Sequence, residues 1–392
     1  MSFHAIIEQK KPPHITPKST NNKIIFDGYY GQLNTGDDAF IEVSAWGAAT
    51  YWDTTDTFFL AKALPQIKQA ASCFQKKLFP GQHVLEKFLQ LVNTTAVVSS
   101  GGSTFEKPQK ILHIRNLAIF KKALSNTFKL GAIGVSLGPY KNTEDERAVV
   151  KYLKRLDFLA LRDEYSYQLA LSYNLPFEPI NAFDLAALLP IIYGDPLVSD
   201  AQRSGEKVVG ISACYFERYR SHTELDNEER RETYLRQLLL EVAKNTNAKL
   251  RFFEFNGHPA VGDKKITASI INFLKANQVD NIEFIPYNPN TAYIYNKVLE
   301  CNLMISVRLH ASIFACFGNI PFFLLEYHRK CADFLESVGY NEAYRVGDGT
   351  KEIQATVEQI IAILDDKDKY IPPTRIETCK QKALRNFTSI SI

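Results

Sequence analysis

Residues 303–340, LMISVRLHASIFACFGNIPFFLLEYHRKCADFLESVGY, constrain the fold more than any other part of the chain. Two apolar runs, 303–307 and 321–325, are short, turn-bounded and read as buried strands. Between them, residues 311–317 have helical composition and close on Gly318. A strand–helix–strand alternation implies parallel strands. Arg308 and His310 follow the first strand; Glu326, Tyr327 and Lys330 follow the second. In an open parallel sheet, ligands bind in the crevice beyond the carboxyl ends of the strands. These five side chains therefore converge on one expected pocket.

Their chemistry suits a small anion. Arg308 stands where a helix begins, and a helix N-terminus favours negative charge. Its guanidinium fork matches carboxylate or phosphate. His310 can give or take a proton near neutral pH. The structural alternative is a salt bridge for Arg308 and a cap or core hydrogen bond for His310.

The same alternation runs through the rest of the chain. Residues 23–28 form a strand, then a glycine-bearing loop leads to a helix over 37–48. Asp37 and Asp38 fall in its first turn, where carboxylates complement the positive helix end. The loop contains neither GxGxxG nor a Walker lysine, so it carries no dinucleotide or P-loop signature. Residues 50–91 read as helical with poor periodicity. A strand at 95–99 ends in Gly101 and Gly102, suited to a tight turn or to close approach of a ligand. A helix at 111–124, a strand at 129–136 and a helix at 143–155 follow. The strand at 158–161 runs straight into Arg162.

Between 190 and 206 the composition shifts to Gly, Pro, Ser, Asp and Gln, which marks a domain boundary. Beyond it come strands at 207–213, 249–255 and 282–285. Helices are expected at 227–245, 263–277, 289–300, 350–365 and 373–387. His258, just before Pro259, reads as structural. The expected organisation is a loose arm (1–21), an N-terminal domain (22–195), and a C-terminal domain (205–392) with a closing helix. The fold class is α/β, two Rossmann-like domains with parallel sheets facing a cleft.

Composition narrows the function classes. A formal net charge of +3 on 392 residues gives no argument for nucleic acid. The six cysteines form no Cys-x-x-Cys pair and no zinc spacing, which points to a reducing compartment and no metal site. The N-terminus lacks the apolar segment of a signal peptide, and no run of about 18 apolar residues occurs. A soluble, cytoplasmic chain is expected.

Several blocks in order carry a family resemblance: Asn34-Thr35-Gly36-Asp37-Asp38, Gly101-Gly102, GVSLGP at 134–139, Arg162-Asp163-x-x-Ser166, Ser306-x-Arg308-Leu309-His310, Gly318-x-x-Pro321 and Tyr327-x-x-Lys330. Together they resemble the polysaccharide pyruvyl transferase family. One departure is Ser103 after Gly101-Gly102, where many relatives have a further glycine. The resemblance implies a GT-B-like fold and transfer of the pyruvyl group of phosphoenolpyruvate onto two hydroxyls of one sugar. It implies a phosphoenolpyruvate site at Arg162, Arg308, Leu309 and His310, to which Lys330 adds a point charge. It implies no cofactor beyond that co-substrate.

On this reading His310 transfers the proton, and Asp37, Asp38 or Glu326 orients or deprotonates the acceptor. Asn34, Asp37, Asp38, Gly101 and Gly102 line the acceptor side. The expected acceptor is a hexose, galactose as its 4,6-ketal, in a lipid-linked oligosaccharide or polysaccharide precursor. Such an acceptor would bring the protein to the inner membrane face as a peripheral contact. Two other classes stay open: a nucleotide-sugar glycosyltransferase of the same shape, and a non-catalytic scaffold in polysaccharide assembly.

Overall fold

The computed structural model describes residues 22–194, 205–220 and 225–392. The expected arm, 1–21, and the middle of the compositional shift, 195–204, lie outside the described residues.

Two parallel sheets organise the chain. The first comprises β1 (Lys23–Asp27), β2 (Asp56–Phe59), β3 (Ala96–Phe105), β4 (Lys129–Leu137), β5 (Phe158–Leu161) and β6 (Ile180–Asn181), in the order β2-β1-β3-β4-β5-β6. Its helices are α1 (Thr35–Tyr51), α2 (Gln82–Val92), α3 (Ile114–Leu124), α4 (Thr143–Leu153) and α5 (Glu164–Ser172). The second comprises β7 (Val208–Ser212), β8 (Lys249–Phe253), β9 (Ile282–Ile285), β10 (Leu303–Ser306) and β11 (Phe322–Leu324), in the order β11-β10-β7-β8-β9. Helices α6 (Leu225–Asn245), α7 (Lys264–Ala276), α8 (Thr291–Leu299), α9 (Leu309–Phe317) and α10 (Arg329–Val338) accompany it, followed by α11 (Ile353–Asp365) and α12 (Ile376–Thr388).

Parallel strands covered on both faces read as continuous apolar runs. Ile24-Ile25-Phe26 and Leu303-Met304-Ile305 are such runs, and all six side chains are fully buried. The architecture is the expected α/β pair of parallel sheets.

The structure departs from the sequence pattern at two places. The stretch 50–91 is not one helical region. The first helix ends at Tyr51, and Asp56–Phe59 forms an edge strand in register with β1. Its β-branched and aromatic residues suit a strand; only 82–92 is helical. Secondly, β3 does not end before Gly101. It runs on to Phe105, with both glycines near φ +72° and its pairing with β4 shifted after Gly102. The glycines make a bulge within the strand.

The closing helix α12 follows the second sheet in sequence but packs on the first. Phe387 fills the space left by Gly47 of α1, where a Cβ would lie 2.2 Å from its ring. The buried Asn386 accepts from Gly134 N–H at 2.7 Å and donates to Phe183 C=O at 2.9 Å. Gly134 has φ +59° and sits where β4 slips register against β5. The side-chain amide thus satisfies a backbone group that the slip leaves without a sheet partner.

Candidate active site

In each sheet the strand order reverses at one point, between β1 and β3 in the first and between β7 and β10 in the second. Open α/β sheets form a ligand crevice at such points, beyond the carboxyl ends. Here the two crevices meet. Thr35 N–H donates to Phe255 C=O, and Gly257 N–H donates to Leu33 C=O. These two bonds join the loop after β1 to the loop after β8. Above them lies a cavity of about 210 Å³, lined from both sheets.

The first sheet contributes Asn34 and Asp37 from the start of α1, Gly102 and Ser103 from β3, and Arg162 from the end of β5. Asn34 caps α1 by accepting from Gly36 N–H at 3.1 Å. The second sheet contributes Arg308, Leu309 and His310 from the start of α9, and Tyr327 and Lys330 from the turn after β11. Of the expected site residues, Asp38, Gly101 and Glu326 do not line this cavity.

Each cation has a defined mooring. Arg308 grips the fully buried Asp263 through Nε and Nη2. Burial opposes its charge, and the Asp263 carboxylate more than restores it. Arg162 donates from Nε to Ser136 Oγ at 2.8 Å and from Nη1 to Asp184 Oδ2 at 2.7 Å. Lys330 Nζ contacts Ser103 Oγ and so links the two halves across the cavity.

His310 is the pivot. Its ring meets Phe40 edge-on at 5.2 Å and lies against the backbone of Gly36, where a Cβ would sit 2.2 Å from Nδ1. Its Nε2 is buried with no hydrogen-bond partner among the described residues, 3.9 Å from Asp184 Oδ2. An orphaned buried polar atom carries a desolvation cost that a ligand can relieve. Burial lowers the imidazole pKa to about 4; Asp184 opposes this, while Arg162, Arg308 and Lys330 add to it. The ring is therefore neutral at pH 7.

The acidic candidates separate. Asp37 faces the cavity, and burial together with the Asp38 charge pushes its carboxyl up to about 7. Asp38 is turned away, accepting from Tyr287 O–H at 2.7 Å, and burial raises it to about 7 also. Both oxygens of Glu326 are taken by Arg345, each at 2.7 Å. The expectation that Asp38 or Glu326 faces an acceptor is not met by these placements. Gly101 acts indirectly: a Cβ there would lie 2.3 Å from the Phe40 ring that supports His310. His258 accepts two backbone N–H groups through Nδ1, as a local structural residue does.

Sequence reasoning missed Asp184, Asp263, Phe40 and Gly36. Nothing local in the sequence singles out the two aspartates; their ion pairs span 22 and 45 residues, beyond any local pattern. Gly36 lies inside the Asn34–Asp38 block, where a glycine between a threonine and an aspartate carries no signal of its partner.

A family model described as polysaccharide pyruvyl transferase matches residues 34–329. No curated protein matches the chain. Among solved structures, the fold is similar to UDP-GlcNAc 2-epimerase from Neisseria meningitidis, with TM-score 0.57, 12% identity, and 94% and 100% of the two chains covered. The corresponding enzyme of Methanocaldococcus jannaschii gives TM-score 0.56 at 13% identity, covering 92% and 97%. At these identities the likeness is one of fold, a GT-B-like pair of domains.

Proposed function

The chain belongs to the polysaccharide pyruvyl transferase family, and from that premise we propose that the cavity binds phosphoenolpyruvate and passes its pyruvyl group to a sugar diol. The observation that carries this reading is that Arg162, Arg308 and Lys330 share one cavity with His310, whose buried Nε2 has no hydrogen-bond partner among the described residues. Phosphoenolpyruvate brings a carboxylate and a phosphate, which suit two guanidinium forks and an ammonium. The orphaned imidazole nitrogen supplies a proton-transfer group beside them.

A proton is added to the methylene carbon, turning CH2 into CH3 and leaving an oxocarbenium-like centre at C2. One sugar hydroxyl attacks that carbon and loses its proton. The C2–O bond to phosphate then breaks, phosphate leaves, and a second hydroxyl closes the ketal ring as it loses its own proton. A bound donor offsets the charges of Arg162, Arg308 and Lys330, which add to the burial that keeps His310 neutral. Donor binding thus raises the proton affinity of His310 and loads the acid that the first step needs. Asp37, with its carboxyl poised near neutrality, is placed to accept a hydroxyl proton. We propose galactose, as its 4,6-ketal, for the acceptor, carried on a lipid-linked precursor.

Calorimetric titration tests the donor site. Phosphoenolpyruvate should bind at one site per chain. Arg308→Lys keeps a cation beside Asp263 but removes the fork, and should weaken that binding at least about tenfold. Equal affinity would return Arg308 to a structural role. Binding of a nucleotide sugar and none of phosphoenolpyruvate would replace this reading with a glycosyltransferase.

A further inference from the structure

Helix α2 is amphipathic, yet it presents its apolar stripe outward. Val84, Leu85, Phe88, Leu89 and Val92 share one helical face, and all five are exposed, Leu85 at 53%, Leu89 at 59% and Val92 at 71%. The opposite face is the one fastened to the protein, with Leu91 buried among the core residues. Glu86 accepts from Gln75 N–H at 3.1 Å, and Lys87 Nζ donates to Leu112 C=O at 2.8 Å.

The patch continues beyond this helix. Lys121 of α3 donates to the carbonyls of Leu91, Val92 and Thr94, holding α3 at the carboxyl end of α2. There α3 adds Phe120 and Leu124, the latter 89% exposed. Leu78 and Phe79 precede α2, Ile111 and Leu112 precede α3, and all four are exposed. So large an apolar surface marks an interaction face.

Charge decides the partner. Residues 75–125 hold seven lysines and two glutamates. Exposed Lys76 and Lys77 adjoin Leu78-Phe79, and exposed Lys110 adjoins Ile111-Leu112. An apolar stripe bordered by lysines is the composition of an interfacial, membrane-surface helix. A second copy of this chain would set lysine against lysine wherever equivalent rims met.

We propose that α2, α3 and their leading loops dock on an anionic lipid bilayer. In a parallel α/β sheet each helix starts beside the carboxyl ends of the strands, so the docked face runs up to the rim on which the cavity opens. The docking does not depend on the reaction proposed above.

Vesicle co-sedimentation of the full chain tests it. The protein should pellet with vesicles rich in phosphatidylglycerol, less so at high salt, and not with pure phosphatidylcholine. The double substitution Leu85→Glu with Leu89→Glu should reduce binding at least about tenfold, with thermal midpoint unchanged, because both side chains already face water. The triple substitution Lys76→Glu, Lys77→Glu and Lys110→Glu should do the same through charge alone. Wild-type protein that ignores anionic vesicles, or variants that bind as wild type does, would overturn the proposal. So would a wild-type dimer that Leu85→Glu with Leu89→Glu splits while no vesicle is bound, since a second copy would then cover the face.

Discussion

At the scale of residues, the site is built on side chains that hold other side chains. Gly36 shows this most sharply. It gives nothing but space, and His310 occupies that space. Gly36→Ala should leave the fold intact but push the imidazole off its seat, cutting turnover about 10²-fold with donor affinity little changed; an unaltered kcat would mean that His310 is not held by this contact. Arg308, His310, Arg162 and Lys330 were legible in the sequence because a parallel sheet sends strand-end residues to one crevice. Asp184 and Asp263 were not, because the ion pairs that give them their roles are long-range. Glu326 does stand at a strand end, but Arg345, 19 residues on, takes both its oxygens.

Among the elements, the central strands and most helices were legible from apolar runs and their spacing, and their ends differ by a few residues. Edge strand β2 was not, because four residues between polar segments carry too weak a pattern. The β3 bulge was hidden because a glycine pair looks the same in sequence whether it ends a strand or bends one. Helix α12 was legible as a helix, but its docking on the opposite sheet depends on Asn386 and Phe387 meeting partners far away in sequence. Asn386→Ala leaves the buried Gly134 N–H unpaired and should lower unfolding stability by about 1–3 kcal/mol, read as a shift in the urea midpoint. An unchanged midpoint would show that α12 does not brace the first sheet.

For the whole molecule, the two reversals of strand order set the location of the chemistry, and the bonds between the β1 and β8 loops hold the two crevices together. Family membership names the class of reaction; the cavity supplies cations from both sheets and one neutral imidazole whose Nε2 is buried. In the reaction proposed above, this imidazole delivers the proton that turns phosphoenolpyruvate into a pyruvyl donor. The most direct measurement is single-turnover phosphate release in heavy water, with a galactoside acceptor and the product mass read alongside. Phosphate should appear only with acceptor, and the product should gain one ketal whose methyl carries a single solvent deuterium. His310→Ala should bind phosphoenolpyruvate but react about 10²–10⁴-fold more slowly. A ketal without deuterium, or a His310→Ala rate equal to wild type, would rule out proton delivery by His310.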